Sequence, residues 1–440
     1  MNTSKRTNIG KLVIASVVML LFSSDRNLLI THYVLGGPKN SGQMTILFIL
    51  IVLCFLLYLT VSKGSLSIRY SQRALLTAAG LLALYFSAHE LIFGDGLTSA
   101  KYAVFLLILS FSLMIRYDGY FIFKILGYLG GLVSLSIIIQ QLLLLTLNGG
   151  DVSQFEVAIR GDDWGRFDSC DFVKPYGLGL IERCFSGLDV SVAGLKMNRS
   201  IFFSTEPKYL SSVLLVTFSS LIISNTDSSI KSWMLALHIL ALSFAFSASA
   251  ILILFFSGLL ILVRFMGPVL FTSMVFLFPI FVFPLFFYLL TLITGIDGFL
   301  LNRLMSGSAS VGAGGLLDFS IFGQAFGSCD EICKESKGLL SNVTDTYGLI
   351  GLSIFWVFLY FAITPMFKII KNRKIKVSKR FGLMILLNTY VVFNIYFFGD
   401  IFNMFGLLIL LTIILLPEYI SDRTLVGSSI EARHLKHVAI

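Results

Sequence analysis

Long and nearly uncharged apolar runs recur along the 440-residue chain, and they constrain its fold more than any other feature. Many are about 20 residues long, which is the length that an α-helix needs to cross the hydrocarbon core of a bilayer. Charged residues make up only 13% of the chain, against about 25% in a typical soluble domain. The runs are continuous rather than alternating, which disfavours a β-barrel. The sequence therefore predicts an all-α polytopic membrane protein, with a single integral membrane domain over 1–440.

About twelve such runs are present, and the basic residues between them orient the chain. The densest basic segment, from Lys368 to Arg380, is expected on the cytoplasmic side by the positive-inside rule. The net charge of +9 then reflects cytoplasmic loops and predicts no nucleic-acid partner. Both termini are predicted to be cytoplasmic, with the first run retained as a signal-anchor. The predicted spans are 9–24, 44–62, 74–94, 99–116, 122–147, 207–224, 231–246, 248–264, 268–294, 345–368, 381–399 and 402–417.

The region 231–264 allows two interpretations. It is interrupted only by a serine-containing stretch at 246–249, so it is either two short helices or one long tilted helix. A single helix would reverse the orientation of everything upstream. The upstream charge pattern favours two helices.

Two long polar segments, 148–206 and 295–345, fall on the external side in this topology. Each contains two cysteines, which predicts two local disulfides in an oxidising compartment. A pairing between the loops and free thiols remain alternatives. Because neither loop contains histidine, a zinc site is disfavoured and no metal is predicted. The four cysteines are Cys170, Cys184, Cys329 and Cys333.

The sequence Phe202-Phe203-Ser204-Thr205-Glu206-Pro207 stands where the first loop enters a predicted helix. Proline is favoured in the first helical turn, so Glu206 lies near a helix start. It is either a simple helix-start carboxylate or a general base, which must reach the attacking hydroxyl. Lys208 is placed to pair with Glu206 or to face phosphate.

The external loops also carry several arginines, whose planar fork suits phosphate oxygens. Arg303 follows a predicted span and is expected near the interface, where a membrane-anchored diphosphate would have its charge. Arg199 precedes the Glu206 motif, and Arg160 is followed by two aspartates that could neutralise it. Each arginine has the alternative of a structural role, such as an interfacial side chain reaching toward water.

The sequence Asp345-Thr346-Tyr347-Gly348-Leu349-Ile350-Gly351 opens a later predicted helix. Asp345 is either a helix N-cap or a second carboxylate facing the same cavity as Glu206. His89 and Glu90, late in the third span, are either functional intramembrane groups or a pair in mutual polar contact. His238 is predicted to be a buried structural histidine.

Taken together, the topology and three short motifs resemble Wzy-type O-antigen or capsule repeat-unit polymerases of the O-antigen ligase superfamily. The motifs are Phe203–Pro207, Asn302-Arg303-Leu304 and Asp345–Gly348. The resemblance implies a GT-C-like membrane glycosyltransferase in a bacterial inner membrane, with its active face in the periplasm. It would join oligosaccharide repeat units carried on undecaprenyl diphosphate, without metal or nucleotide cofactor.

The resemblance also suggests roles for the candidate residues. Glu206 and Asp345 become candidate catalytic carboxylates, with the lipid-linked glycans and membrane lipid as partners and a chain-length regulator as a further candidate. The second loop lacks the histidine that O-antigen ligases place there, which favours polymerase over ligase. A lipid-linked oligosaccharide flippase is the main non-enzyme alternative, although few charges lie within the predicted spans. The candidate diphosphate-binding residues are Arg303, Arg199, Arg160 and Lys208.

Overall fold

In a computed structural model, the described residues form helices and one small hairpin. The residues that it describes are 70–93, parts of 102–110, 119–148, 189–192, 195–198, 207–224, 228–245, 248–258, 265–274, 321–322, 339–391, 410 and 413–414. The predicted spans 9–24 and 44–62 lie outside them, as does most of 99–116, 268–294 and 402–417. The longer helices are α1 (Tyr70–Phe93), α2 (Gly119–Asn148), α3 (Pro207–Ile223), α4 (Ser228–Ala245), α5 (Ala248–Gly258), α6 (Leu339–Lys371) and α7 (Val377–Thr389).

Two of these helices contain stretches that are long and apolar enough to cross a membrane. They are Gln72–Ile92, with 21 residues, and Thr346–Lys371, with 26 residues. Shorter apolar stretches occupy Phe123–Ile139, Leu210–Ile223 and Ile230–Ala245. The described part of the chain is therefore mainly helical, as predicted, with two candidate membrane spans.

The described helices fall into two compact units. One unit contains α2 to α5, and the other contains α1, α6 and α7. The only strands among the described residues are β1 (Asp189–Val192) and β2 (Leu195–Asn198), which pair antiparallel with Asp189 opposite Asn198. This hairpin lies in the first predicted loop, for which the sequence analysis gave no secondary structure.

In the unit of α1, α6 and α7, α1 packs along α6. Its buried side chains, such as Leu75, Leu82 and Phe86, recur at helical spacing and form one face. The opposite face carries exposed leucines, including Leu84 at 69% exposure. Since the end of α1 contacts the beginning of α6 through Glu90 and Tyr347, the two helices run antiparallel.

A short basic turn joins α6 to α7. The amide of Lys374 donates to Oδ1 of Asn372 at 3.0 Å, and the amide of Ile375 donates to the Asn372 carbonyl at 3.3 Å. Lys371 donates from Nζ to the carbonyl of Met266 at 2.9 Å. The other basic side chains of the turn are exposed, which places the positive charge at the end of α6 opposite Tyr347.

In the other unit, α3 is the central helix, because every residue from 210 to 224 is buried. Its hydroxyl side chains bond back to carbonyls of their own helix; Ser220, for example, donates to Val216 at 2.7 Å. Small residues of this kind allow helices to approach closely in a membrane. The Lys231 ammonium donates to the carbonyls of Ile222 and Ser224 at 2.9 and 2.8 Å, and so caps the end of α3.

Several predicted boundaries are confirmed by this fold. Helix α3 begins at Pro207, and the region 231–264 contains two helices, with α4 ending at Ala245 and α5 beginning at Ala248. The N-cap interpretation of Asp345 is wrong, because α6 begins at Leu339 and Asp345 lies inside it. The apolar pattern starts only at Thr346, so it gave no sign of the preceding helical residues.

Candidate functional site

Most of the predicted site residues lie outside the described residues. The backbone of Lys208 lies in the first turn of α3, and that of Asp345 lies three residues before a break in α6 at Gly348. Those outside the described residues are Glu206, Arg303, Arg199, Arg160, Cys170, Cys184, Cys329 and Cys333.

A buried polar cluster connects the end of α1 with the beginning of α6. The Tyr347 hydroxyl donates to Oε1 of Glu90 at 2.6 Å. The hydroxyls of Tyr102 and Tyr347 are 2.5 Å apart. Because the Tyr347 proton is directed to the carboxylate, Tyr102 donates to Tyr347, and the bonds run in sequence from Tyr102 through Tyr347 to Glu90.

The carboxylate of Glu90 is almost entirely removed from solvent, with 2% of the residue exposed. Burying a carboxylate carries a large desolvation penalty unless hydrogen bonds compensate it. The Tyr347 hydroxyl supplies such a bond, and hydrogen bonds to charged groups are stronger than those between neutral ones. An apolar residue at position 347 would therefore leave the buried Glu90 without this donor, whereas the Tyr347 hydroxyl also has Tyr102 as a partner.

His89, the neighbour of Glu90, is also buried and makes a different contact. Its Nε2 lies 3.2 Å from the carbonyl oxygen of Phe322. A carbonyl only accepts hydrogen bonds, so Nε2 carries the proton in this contact. One alternative for His89 and Glu90 was a mutual polar contact. In the structure, His89 bonds to Phe322 and Glu90 bonds to Tyr347.

Aromatic rings enclose the cluster. Phe86 stacks on Tyr347 with ring centroids 3.9 Å apart and planes 7° from parallel. The Tyr102 ring meets Phe86 edge-on at 5.2 Å, and the His89 ring meets Tyr347 edge-on at 5.1 Å. These contacts fix the planes of the rings around Tyr347.

Two glycines of the Asp345–Gly351 motif make this arrangement possible. Gly348 has φ 67° and ψ −166°, a backbone region that is essentially restricted to glycine. A Cβ at Gly351 would collide with the Cβ of Tyr347 and would crowd the rings of Phe86 and Tyr85. Gly348 thus allows the break in the helix, and Gly351 allows α1 to approach α6 closely. Together they turn Tyr347 toward α1.

The helix break leaves backbone groups that find partners elsewhere. The carbonyl of Tyr347 accepts the Tyr85 hydroxyl at 3.0 Å. The amide of Ile350 donates to the carbonyl of Ile321 at 3.3 Å. The segment 321–322, which belongs to the second predicted loop, is therefore bonded to both α6 and α1.

A second polar junction lies in the other compact unit, where α2, α3 and α4 meet. Nε2 of His238 is 3.2 Å from Oγ1 of Thr217, and Nδ1 is 2.7 Å from the Met234 carbonyl. A Cβ at Gly130 would collide with both Thr217 and His238. The prediction that His238 is buried is confirmed.

The cluster around Glu90 is the better candidate for a functional site, because it joins two candidate spans to a predicted loop. Among the described residues, no three histidine, cysteine or acidic side chains come together as metal ligands. The arrangement is instead suited to holding chain segments through directed hydrogen bonds. Glu90 and the motif around Tyr347 are both recognisable in the sequence, but the contact between them is not, and Tyr102 has no sequence signal.

Comparison of the chain with protein-family models, with curated proteins and with solved structures found no match.

Proposed function

We propose that the chain is a polytopic membrane glycosyltransferase that polymerises undecaprenyl-diphosphate-linked oligosaccharide repeat units on the periplasmic face of a bacterial inner membrane. The observation that carries this proposal is the bond between Tyr347 and Glu90. The resemblance to Wzy-type polymerases partly rests on the Asp345–Gly351 motif. Through this bond, the tyrosine of that motif connects the ends of two apolar helices.

The surface of the described helices supports a membrane location. Leu84, Leu91 and Ile92 of α1 are exposed, each by more than two thirds of its surface. Exposed apolar side chains on a helix of this length favour contact with lipid, since a soluble protein rarely leaves such a patch uncovered. Trp233 of α4 is 75% exposed beside Lys231, a combination typical of membrane interfaces. The full set of about twelve spans is part of the proposal.

Charge along α6 supports the orientation. Lys371 and the exposed basic residues that follow it stand at one end, and Tyr347 stands near the other. Under the positive-inside rule the basic end is cytoplasmic. The Glu90 cluster is then at the periplasmic face, on the same side as the second predicted loop.

The proposed reaction transfers a glycan from one lipid diphosphate to a sugar hydroxyl of another lipid-linked unit. The acceptor oxygen forms a bond to the anomeric carbon, and the bond from that carbon to the diphosphate oxygen breaks. The electron pair leaves with undecaprenyl diphosphate, and the acceptor proton passes to a carboxylate, for which Glu206 and Asp345 are the candidates.

The leaving diphosphate gains negative charge as this bond breaks. Arginine forks directed at its oxygens would stabilise that charge. Arg303, Arg199 and Arg160, together with Lys208, are the candidates for this role. In this scheme, activation by a carboxylate and stabilisation by cationic side chains provide the catalysis, and no metal or nucleotide is assigned a step.

The test is a gel of surface polysaccharide from a deletion strain complemented with variants. Wild type is expected to restore a ladder, whereas Glu206→Gln and Arg303→Ala leave lipid A-core bearing a single repeat unit. Glu335→Gln and Arg423→Ala are matched controls, which make the same two changes at residues that are not site candidates. Loss of even the single-unit band on deletion would identify a ligase or a flippase and would contradict the polymerase assignment.

A further inference from the structure

Two consecutive residues at the end of α1 bond to two different points of the second loop region. His89 donates to the carbonyl of Phe322, inside the predicted loop 295–345. Glu90 accepts from Tyr347, two residues beyond the end of that loop. Consecutive side chains of an α-helix project about 100° apart, so one helix end can hold two separate chain segments.

Two further hydrogen bonds connect the same segments. The Ile350 amide donates to Ile321, and the Tyr85 hydroxyl donates to the Tyr347 carbonyl. Four hydrogen bonds thus join the end of α1, the segment 321–322 and the beginning of α6. Each bond joins residues far apart in sequence. Each therefore restrains the relative position of two segments in a way that the hydrogen bonds within a helix cannot.

The break at Gly348 explains why such bonds are needed. With φ 67°, this residue interrupts the regular helix between Tyr347 and the membrane-spanning part of α6. The direction of the preceding segment, which includes the backbone of Asp345, is therefore not fixed by helical geometry alone. The contacts of Tyr347 with Glu90, Tyr102 and Phe86 supply the missing constraint.

We propose that His89 and Glu90 are positioning residues, which hold the segment 321–322 of the second predicted loop and the backbone of Asp345 in place for glycan transfer. This inference rests on the proposed function. Glu90 is a positioning residue rather than a base because its Oε1 already accepts the Tyr347 hydroxyl and the residue is buried. An acceptor sugar would have to displace the side chains that bury Glu90 in order to reach its carboxylate.

Substitutions at Glu90 separate positioning from proton transfer. Glu90→Gln removes the base but keeps a side-chain carbonyl that accepts from Tyr347, so it should retain the polysaccharide ladder. Glu90→Leu removes the acceptor and should reduce polymer roughly tenfold or more, as expected for a lost buried hydrogen bond. Tyr347→Phe should cause a similar loss, and the double variant should be no worse than either single one.

Protease cleavage of the loop measures positioning without requiring activity. In right-side-out spheroplasts, trypsin should cut within 295–345 faster in Glu90→Leu, Tyr347→Phe and His89→Leu than in wild type. Glu90→Gln and the control Tyr360→Phe should be cut at the wild-type rate. Tyr347→Phe keeps the ring and provides the same comparison if Glu90→Leu does not fold.

The outcomes distinguish this inference from the proposed function. If wild type makes no polymer but the cleavage rates follow the expected order, the polymerase assignment fails and the positioning role stands. If wild type polymerises and Glu90→Leu and Tyr347→Phe match it in both polymer and cleavage, the positioning role is overturned. A Glu90→Gln variant as inactive as Glu90→Leu, with wild-type cleavage, would make Glu90 a proton acceptor and would likewise overturn it.

Discussion

The hydroxyl of Tyr347 donates to Oε1 of Glu90 at 2.6 Å, across 257 positions of the chain. This bond connects the end of one candidate membrane span with the beginning of the other. It also gives the buried carboxylate a strong donor. Because the hydroxyl makes this contact, phenylalanine could not replace the tyrosine without losing the bond.

Tyr347→Phe should destabilise the fold while preserving the stack on Phe86. The substitution leaves the buried Glu90 without its donor, which costs about 1–3 kcal/mol. The free energy of unfolding can be measured by titration with SDS in mixed micelles. Tyr360→Phe makes the same change on the same helix, where the ring stacks on Trp356, and should be close to wild type. Equal stability of the two variants would mean that the Glu90 contact contributes nothing.

Gly348→Ala should be destabilising because the backbone at this position is in a region that other residues avoid. The strain is of order 1–3 kcal/mol. Gly80→Ala is the matched control, since nothing lies within 4 Å of the position that its Cβ would occupy. In a helix interior that control should be neutral or stabilising, by up to about 1 kcal/mol. The same unfolding titration decides, and a stable Gly348→Ala variant would contradict the observed break.

Gly130→Ala should disrupt the junction of α2, α3 and α4. The added methyl would collide with Thr217 and His238, and overpacking of this kind costs about 1–3 kcal/mol. Gly258→Ala, where the new Cβ has open space, is the control. Expression level and monodispersity in detergent are the first readouts, followed by the unfolding titration. A well-folded Gly130→Ala variant would show that the three helices can separate without loss.

Thr217→Val should weaken the same junction by a different mechanism. The isosteric change removes the hydroxyl that contacts Nε2 of His238 at 3.2 Å, and it leaves a buried ring nitrogen without this partner. The expected destabilisation is about 1–3 kcal/mol. Thr77→Val is the control, because that threonine is exposed and bonds to the Arg73 carbonyl of its own helix. If both variants are equally stable, His238 does not depend on Thr217.

The orientation can be tested with single added cysteines and a membrane-impermeant thiol reagent. Ile321→Cys, at an exposed position beside the Glu90 cluster, should be labelled in intact spheroplasts. Lys374→Cys, in the exposed basic turn, should be labelled only after permeabilisation. The unsubstituted protein serves as the blank for native thiols. The reverse pattern would place the cluster on the cytoplasmic side and would remove it from the proposed active face.

The sequence was sufficient to predict features that depend on local pattern. Apolar runs and a helix-favouring proline located the start of α3 at Pro207, and the serine-containing interruption separated α4 from α5. The pairing of Glu90 with Tyr347 was not predictable in this way, because it depends on how two distant helices pack. Tyr102 carried no local signal at all, since a tyrosine in an apolar run is equally compatible with a lipid-facing position.

The errors have similar physical causes. The apolar pattern begins directly after Asp345 and so suggests an N-cap there, but helical backbone already starts at Leu339. The positive φ of Gly348 divides this helix, and a single glycine in an apolar run does not reveal its backbone conformation. The strands β1 and β2 have only four residues each, so the alternation that identifies a strand is too brief to detect.

The most direct test of the central claim is polymerisation by the purified protein in proteoliposomes. The substrate would be lipid-linked repeat units extracted from the deletion strain, supplied without nucleotide and with a metal chelator present. We predict glycans of two or more repeat units and release of undecaprenyl diphosphate from wild type, with Glu206→Gln inactive. A folded wild-type protein that leaves every repeat unit single would contradict the account.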